Sequence, residues 1–121
     1  MADVKKVNVH YNIWVGNDVI KSYSIKIKAD NGTKFFNVME AAAAVDNRFR
    51  FTYQNFSIGR FITSIGGVNQ TSTQFWMIYV LKSHPNTYNK PGSDKLSQVG
   101  VDEIEVTNGK HYLFWLNSGN H

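Results

Sequence analysis

Val7, Val9, Tyr11 and Ile13 fall on one parity of the chain, and Asn8, His10 and Asn12 fall on the other. That period of two is the mark of a strand with one dry and one wet face. Turn chemistry follows at Gly16-Asn17-Asp18, and the alternation restarts with Tyr23, Ile25 and Ile27, interleaved with Lys26 and Lys28. The two segments are predicted to pair as an antiparallel hairpin whose outer face is solvated and which ends at Asp30-Asn31-Gly32. From Thr33 the period changes: Phe35, Val38, Met39, Ala42 and Val45 recur at three- and four-residue steps through the run Ala41 to Ala44. This predicts one main helix, about residues 34–46, with its apolar stripe inward and its end at Asp46-Asn47.

Alternation returns with Phe49, Phe51, Tyr53 and Asn55 against Arg50, Thr52 and Gln54, predicting a third strand that runs into Phe56-Ser57-Ile58-Gly59. Two stretches, Phe61 to Ile65 and Phe75 to Leu81, are then almost continuously apolar or aromatic. Such density predicts central strands, covered on both faces or on one face and by a ligand. The polar segment between them, Gly66 to Gln74, is long enough to line a pocket. Residues 82–98 hold both prolines and almost no apolar side chain, as a functional or mobile loop does. Beyond it come Val99-Gly100-Val101, Ile104 and Val106, then Asn108-Gly109, then Tyr112 to Leu116. An Asn-Gly pair between strand-like runs predicts a second hairpin. A hairpin, one helix and then several strands define an α+β chain; a β-grasp, ubiquitin-like roll with a mixed sheet fits best, and another one-helix α+β sandwich is the alternative. With 121 residues and no repeat or linker, a single domain over 1–121 is expected.

Composition narrows the functional classes. The net charge is +4, but the lysines are scattered along the sequence and no nucleic-acid motif accompanies them, so no nucleic-acid partner is expected. No cysteine is present, which removes disulfides and thiol chemistry. No apolar run reaches the length of a membrane span. The segment Met1 to Lys6 lacks the apolar stretch of a signal peptide, although a removed signal is compatible with it. Three sequons, at Asn31, Asn55 and Asn69, lie at or near predicted turns and tilt the reading towards a secreted glycoprotein. His10, His84, His111 and His121 share no metal-ligand spacing and read as surface residues, so no directly bound metal is expected. Asp102, Glu103 and Glu105 read as a solvated acidic set, and no nucleophile elbow or phosphate loop is present, which points away from an enzyme.

A succession of motifs carries a family resemblance: Val9-x-Tyr11-x-x-Trp14, the helix from Phe35 to Ala42, Phe49-Arg50-Phe51, Gly59-x-Phe61-Ile62-Thr63-Ser64-Ile65-x-Gly67, Phe75-Trp76-Met77-Ile78-Tyr79, Val99-Gly100-Val101-Asp102 and Asn108-Gly109. In this order they resemble the C-terminal β-domain of the transcobalamin and intrinsic factor family, a pattern shared with a wider class of short secreted or surface modules. The resemblance covers nearly the whole chain. It implies binding of cobalamin or another corrinoid, held in that family between a helical barrel and this smaller domain. The implied ligand-binding residues are Ser57, Gly59 and Phe61 on one side, Phe75, Trp76 and Ile78 on the other, and Val99 and Gly100 at the edge. The barrel has no counterpart here, so a protein partner supplying it is implied. Arg60 and the proline-bearing loop after the Trp76 strand depart from the family pattern. Beside this stands a plainer reading, in which Trp76 is core, Gly59 and Gly100 mark bulges or turns, and the chain is an extracellular protein- or glycan-interaction module that keeps the fold without cobalamin.

Overall fold

The computed structural model describes residues 5–119; His121 lies outside them. Strands β1 (Lys6–Val15) and β2 (Lys21–Asp30) form the expected antiparallel hairpin, in register from Lys6 opposite Asp30 to Val15 opposite Lys21. Helix α1 (Phe35–Val45) follows, and a short 3-10 turn at Asn47–Phe49 leads into β3 (Phe51–Phe56) and β4 (Gly59–Ile65). The remaining strands are β5 (Val68–Asn69), β6 (Phe75–Leu81) and β7 (His111–Asn117). The larger sheet runs in the order β2-β1-β7-β6, and β3-β4-β5 form a second sheet. Because β1 and β7 are parallel while their outer neighbours are antiparallel, the large sheet is mixed. With α1 packed on one face this is a β-grasp roll of the α+β class.

One core fills the space between α1 and the two sheets. Phe35, Val38, Met39 and Ala42 of α1 meet Val9, Tyr11 and Ile13 of β1, Phe114 of β7 and Ile62 and Ile65 of β4, all buried. The Tyr11 ring sits edge-on between Phe35 and Phe49, with centroids 5.1 and 5.0 Å away. A smaller cluster of Trp14, Tyr79, Leu113 and Trp115 covers the opposite face of the large sheet. Asn12, on the polar parity of β1, is buried all the same; its amide donates to the Tyr112 carbonyl at 3.4 Å and its carbonyl accepts from Ser24 Oγ at 2.7 Å.

Several expectations change. Phe75 to Leu81 is not a central strand: β6 is the edge of its sheet, and the strand covered on both faces is β7, where Tyr112 to Asn117 are all buried. A continuous apolar run marks either situation when a partner or ligand covers the second face, so the two runs look alike in sequence. Asn108-Gly109 does not join a hairpin. β7 already has β1 and β6 as neighbours, and residues 101–106 are used instead to cap α1, which has no side-chain N-cap. Phe35 and Phe36 donate their amides to the carbonyls of Ile104 and Val101 at 2.9 and 3.1 Å, satisfying groups that every helix start leaves free. The Asn108-Gly109 turn is pinned to β1 instead, with Asn108 Oδ1 accepting from the Asn8 amide at 2.7 Å. Phe49 belongs to the 3-10 turn rather than the third strand, which aims its ring into the core.

Candidate functional site

Strands β4 and β6 belong to different sheets, and the seam between them opens to solvent as a groove of about 350 Å³. Local chemistry builds each wall. The β3–β4 hairpin turns through Ser57-Ile58, with Phe56 opposite Gly59. Gly59 has φ +136°, a backbone shape that favours glycine; a Cβ there would make an ordinary contact with Asp102 Oδ2 at 3.4 Å. From this start β4 presents Phe61 at 46% exposure on the rim and Ile62 in the floor. On the opposite wall Phe75 is 42% exposed, while Trp76 and Ile78 sink into the core and show only an edge. The Trp76 indole donates to the Val68 carbonyl at 3.0 Å, which fixes the ring beside β5 and leaves its remaining surface apolar. Gly100 closes the groove from the segment that returns towards α1; a side chain added there would meet nothing within 4 Å.

A second hollow of about 280 Å³ adjoins the first and shares Arg60, Phe61 and Gly100 with it. Gly59 and Val99 line this one. Of the eight residues implied by the family resemblance, seven therefore border this connected pair of hollows: Gly59, Phe61, Phe75, Trp76, Ile78, Val99 and Gly100. Ser57 does not; it stands exposed at the hairpin tip. Trp76 is both core and wall, so the two readings of that residue are not exclusive. The rim is strongly apolar, with Ile58, Phe61, Phe75 and Val99 all substantially exposed; Phe56, exposed beside it, lines neither hollow but meets the Phe61 ring edge-on at 5.0 Å.

Arg60 and Asp102 form the hinge between the two hollows. Arg60 Nε donates to Asp102 Oδ1 at 2.9 Å, its terminal nitrogen pairs with the same oxygen, and its backbone amide donates to Oδ2 at 2.8 Å. The guanidinium carbon stands over the Phe36 ring, 3.6 Å from its centroid. These hydrogen bonds hold the Asp102 carboxyl below the usual carboxylate range and raise Arg60 further. Asp102 is thus a clamp between the 99–102 segment and β4, not the solvated acid expected from its neighbours in sequence. Ile62, Gln70, Val101 and Phe114 also line the main groove and were missed; their parity marked them only as core or loop.

The histidines correct another expectation. Parallel pairing of β1 with β7 sets His10 beside His111, rings stacked at 4.1 Å and 9°, and His84 meets His111 edge-on at 5.9 Å. His111 Nδ1 is buried without a hydrogen-bond partner, and burial together with His10 and His84 pushes its pKa down. Stacked rings point their nitrogens side by side rather than at one another, and among the described residues no group of His, Cys, Asp or Glu is arranged to hold a metal. No helix among them is long and apolar enough to cross a membrane. Asn31, Asn55 and Asn69 of the sequons are all exposed.

Comparisons with known proteins agree with this architecture. Residues 32–86 match a family described as a domain of unknown function, DUF4430. The uncharacterized protein CG3556 of Drosophila melanogaster is 34% identical over 116 residues, covering 94% of this chain and 20% of that protein. The chain thus spans about a fifth of the curated relative's length. Among solved structures, haptocorrin in complex with Cbi superposes with a TM-score of 0.77 at 20% identity, over 98% of this chain and 26% of that one. A candidate metal-binding protein of Ruminococcus gnavus ATCC 29149 superposes with a TM-score of 0.57 at 13% identity, over 93% of this chain and 98% of that one. The fold is therefore transcobalamin-like, as the order of motifs implies.

Proposed function

We propose that the β4–β6 groove is one half of a corrinoid site, and that the chain is a non-enzymatic binding module for cobalamin or a related corrinoid. The observation that carries the reading is the open apolar groove beside Trp76. An ordinary core strand would have been covered, yet here Phe61 and Phe75 stand half exposed on facing walls. The fold shared with haptocorrin supports the choice of ligand. The fit is that of a partial site. Ligand pockets that enclose their ligands run to roughly 300–1,000 Å³; the main groove lies near the bottom of that range and is open on one side. It can grip the edge of a macrocycle but not surround one. A second body, either a further part of a longer chain or a separate partner supplying a helical barrel, completes it. Exposed sequon asparagines fit an extracellular setting.

The same apolar surface favours a second reading, in which Phe56, Ile58, Phe61, Phe75 and Val99 dock a protein without any corrinoid. Titration separates the two. Trp76 is the one tryptophan on the groove, whereas Trp14 and Trp115 lie in the cluster on the far face of the sheet. Cobalamin added to the chain should change tryptophan emission, and Trp76→Phe should lose most of that change, with equilibrium dialysis confirming retention of ligand. No retention at millimolar cobalamin overturns the corrinoid reading.

A further inference from the structure

The far end of β6 carries a different kind of site. Residues 82–98 are not a loose tether: Ser97 donates its amide to the Ile78 carbonyl at 2.9 Å, and Tyr79 bridges to Leu96. A tight turn, in which the Asn89 amide donates to the Asn86 carbonyl at 3.0 Å, and a 3-10 turn at Ser93–Lys95 shape the span between. The loop arches over a basin of about 580 Å³, larger than the groove. Lys82, Lys90 and Lys95 from the loop and Lys110 from the approach to β7 line it, with His84 among them. Three of these lysines share one loop, and the fold brings Lys110 alongside them. No acidic residue lines the basin among the described residues, but Asp94 stands at its margin, pairing with Lys95 at 3.6 Å and lying 3.1 Å from where a Cβ on the lining Gly92 would stand. Asn86, Asn89 and Ser83 add neutral polar groups. Four lysines around one concavity, one of them paired with Asp94, leave an excess of positive charge that a compact multivalent anion can neutralise while accepting hydrogen bonds.

We propose that this basin binds a small, multiply charged phosphate or sulfate ester. It lies roughly 15 Å along β6 from Trp76, by the rise of an extended strand, and so is separate from the corrinoid groove. Two probes distinguish the sources of such a group: tripolyphosphate for phosphate esters and sucrose octasulfate for sulfated sugars. Each is titrated calorimetrically against the chain at low salt. Saturable binding of at least one probe is expected. Lys82→Gln combined with Lys110→Gln should weaken it by at least about tenfold, while Lys26→Gln combined with Lys28→Gln, on β2, should change it less than about twofold. Both double variants remove the same charge; Lys82, Lys26 and Lys28 are exposed while Lys110 is half-buried, so urea denaturation must show the Lys82/Lys110 variant folded before its affinity is read. Equal weakening by the two pairs would reveal attraction to net charge alone and overturn the proposal. So would the absence of saturable binding by either probe.

Discussion

Phe75→Ala tests the groove where its contribution can be worked out. An aromatic side chain offers about 150–250 Å² of surface; with Phe75 42% exposed, about 80 Å² of it meets solvent, the most that a ligand in the groove could cover. At about 25 cal/mol per Å² that surface is worth about 2 kcal/mol on complete burial, or about 30-fold in affinity. The covered remainder, about 120 Å², sets an upper bound of about 3 kcal/mol on the loss of folding stability. Urea denaturation must therefore show the variant folded before its affinity is read. The control is Phe56→Ala. Phe56 is 53% exposed and touches Phe61, but it does not line the groove. Measured by dialysis against cobalamin, Phe75→Ala should bind more weakly by up to about 30-fold, with Phe56→Ala within a few-fold of the parent. Equal losses from the two variants, or none from Phe75→Ala, would refute the assignment of the groove as the ligand wall.

Tyr11 is buried with its hydroxyl unpartnered, and burial drives its pKa far above the ordinary tyrosine value. Since an unsatisfied buried hydroxyl costs about 1–3 kcal/mol, Tyr11→Phe should raise the melting temperature by about 4 °C; a fall would reveal a hidden hydrogen bond. The depressed pKa of His111 makes stability depend on pH. The unfolded chain takes up a proton near pH ~6.5 that the folded chain refuses, so stability falls as pH drops through that value, until His111 is protonated in the folded state too. His111→Gln should flatten the urea midpoint between neutral and mildly acidic pH, and a slope as steep as the parent's would exclude His111 as its source. Asp102 works in the opposite sense. Its lowered pKa gives stability that is present above the ordinary carboxylate range and is lost as pH falls through the folded value. Asp102→Asn should therefore be less stable than the parent at neutral pH and converge with it in acid, as paired denaturation curves would show.

Local periodicity carried the β1–β2 hairpin and α1, because each element buries one face and alternates at its own period. It failed where a strand's neighbours are remote in sequence. Nothing local distinguishes Tyr112 to Leu116, flanked on both sides by strands, from Phe75 to Leu81 at an edge. Asn108-Gly109 is a sound turn signal, but β7 pairs with β1 across a separation of about a hundred residues, which no turn residue announces. The seven implied residues that border the two hollows were reached through the order of motifs rather than through any one side chain. The Arg60–Asp102 clamp and the stacked His10 and His111 were not legible, because each joins residues far apart in sequence that only the tertiary fold brings together; the 82–98 loop was marked, but not the basin that its lysines form with Lys110.

A corrinoid bound by the chain should meet it at the β4–β6 seam. Amide chemical-shift mapping with isotopically labelled protein and cobalamin is the sharpest test of that contact. Perturbations concentrated at Arg60, Phe61, Phe75, Trp76 and Gly100, with the Trp76 indole resonance among the largest, are the predicted result. A spectrum unchanged at millimolar cobalamin, or shifts confined to residues outside the seam, would contradict it.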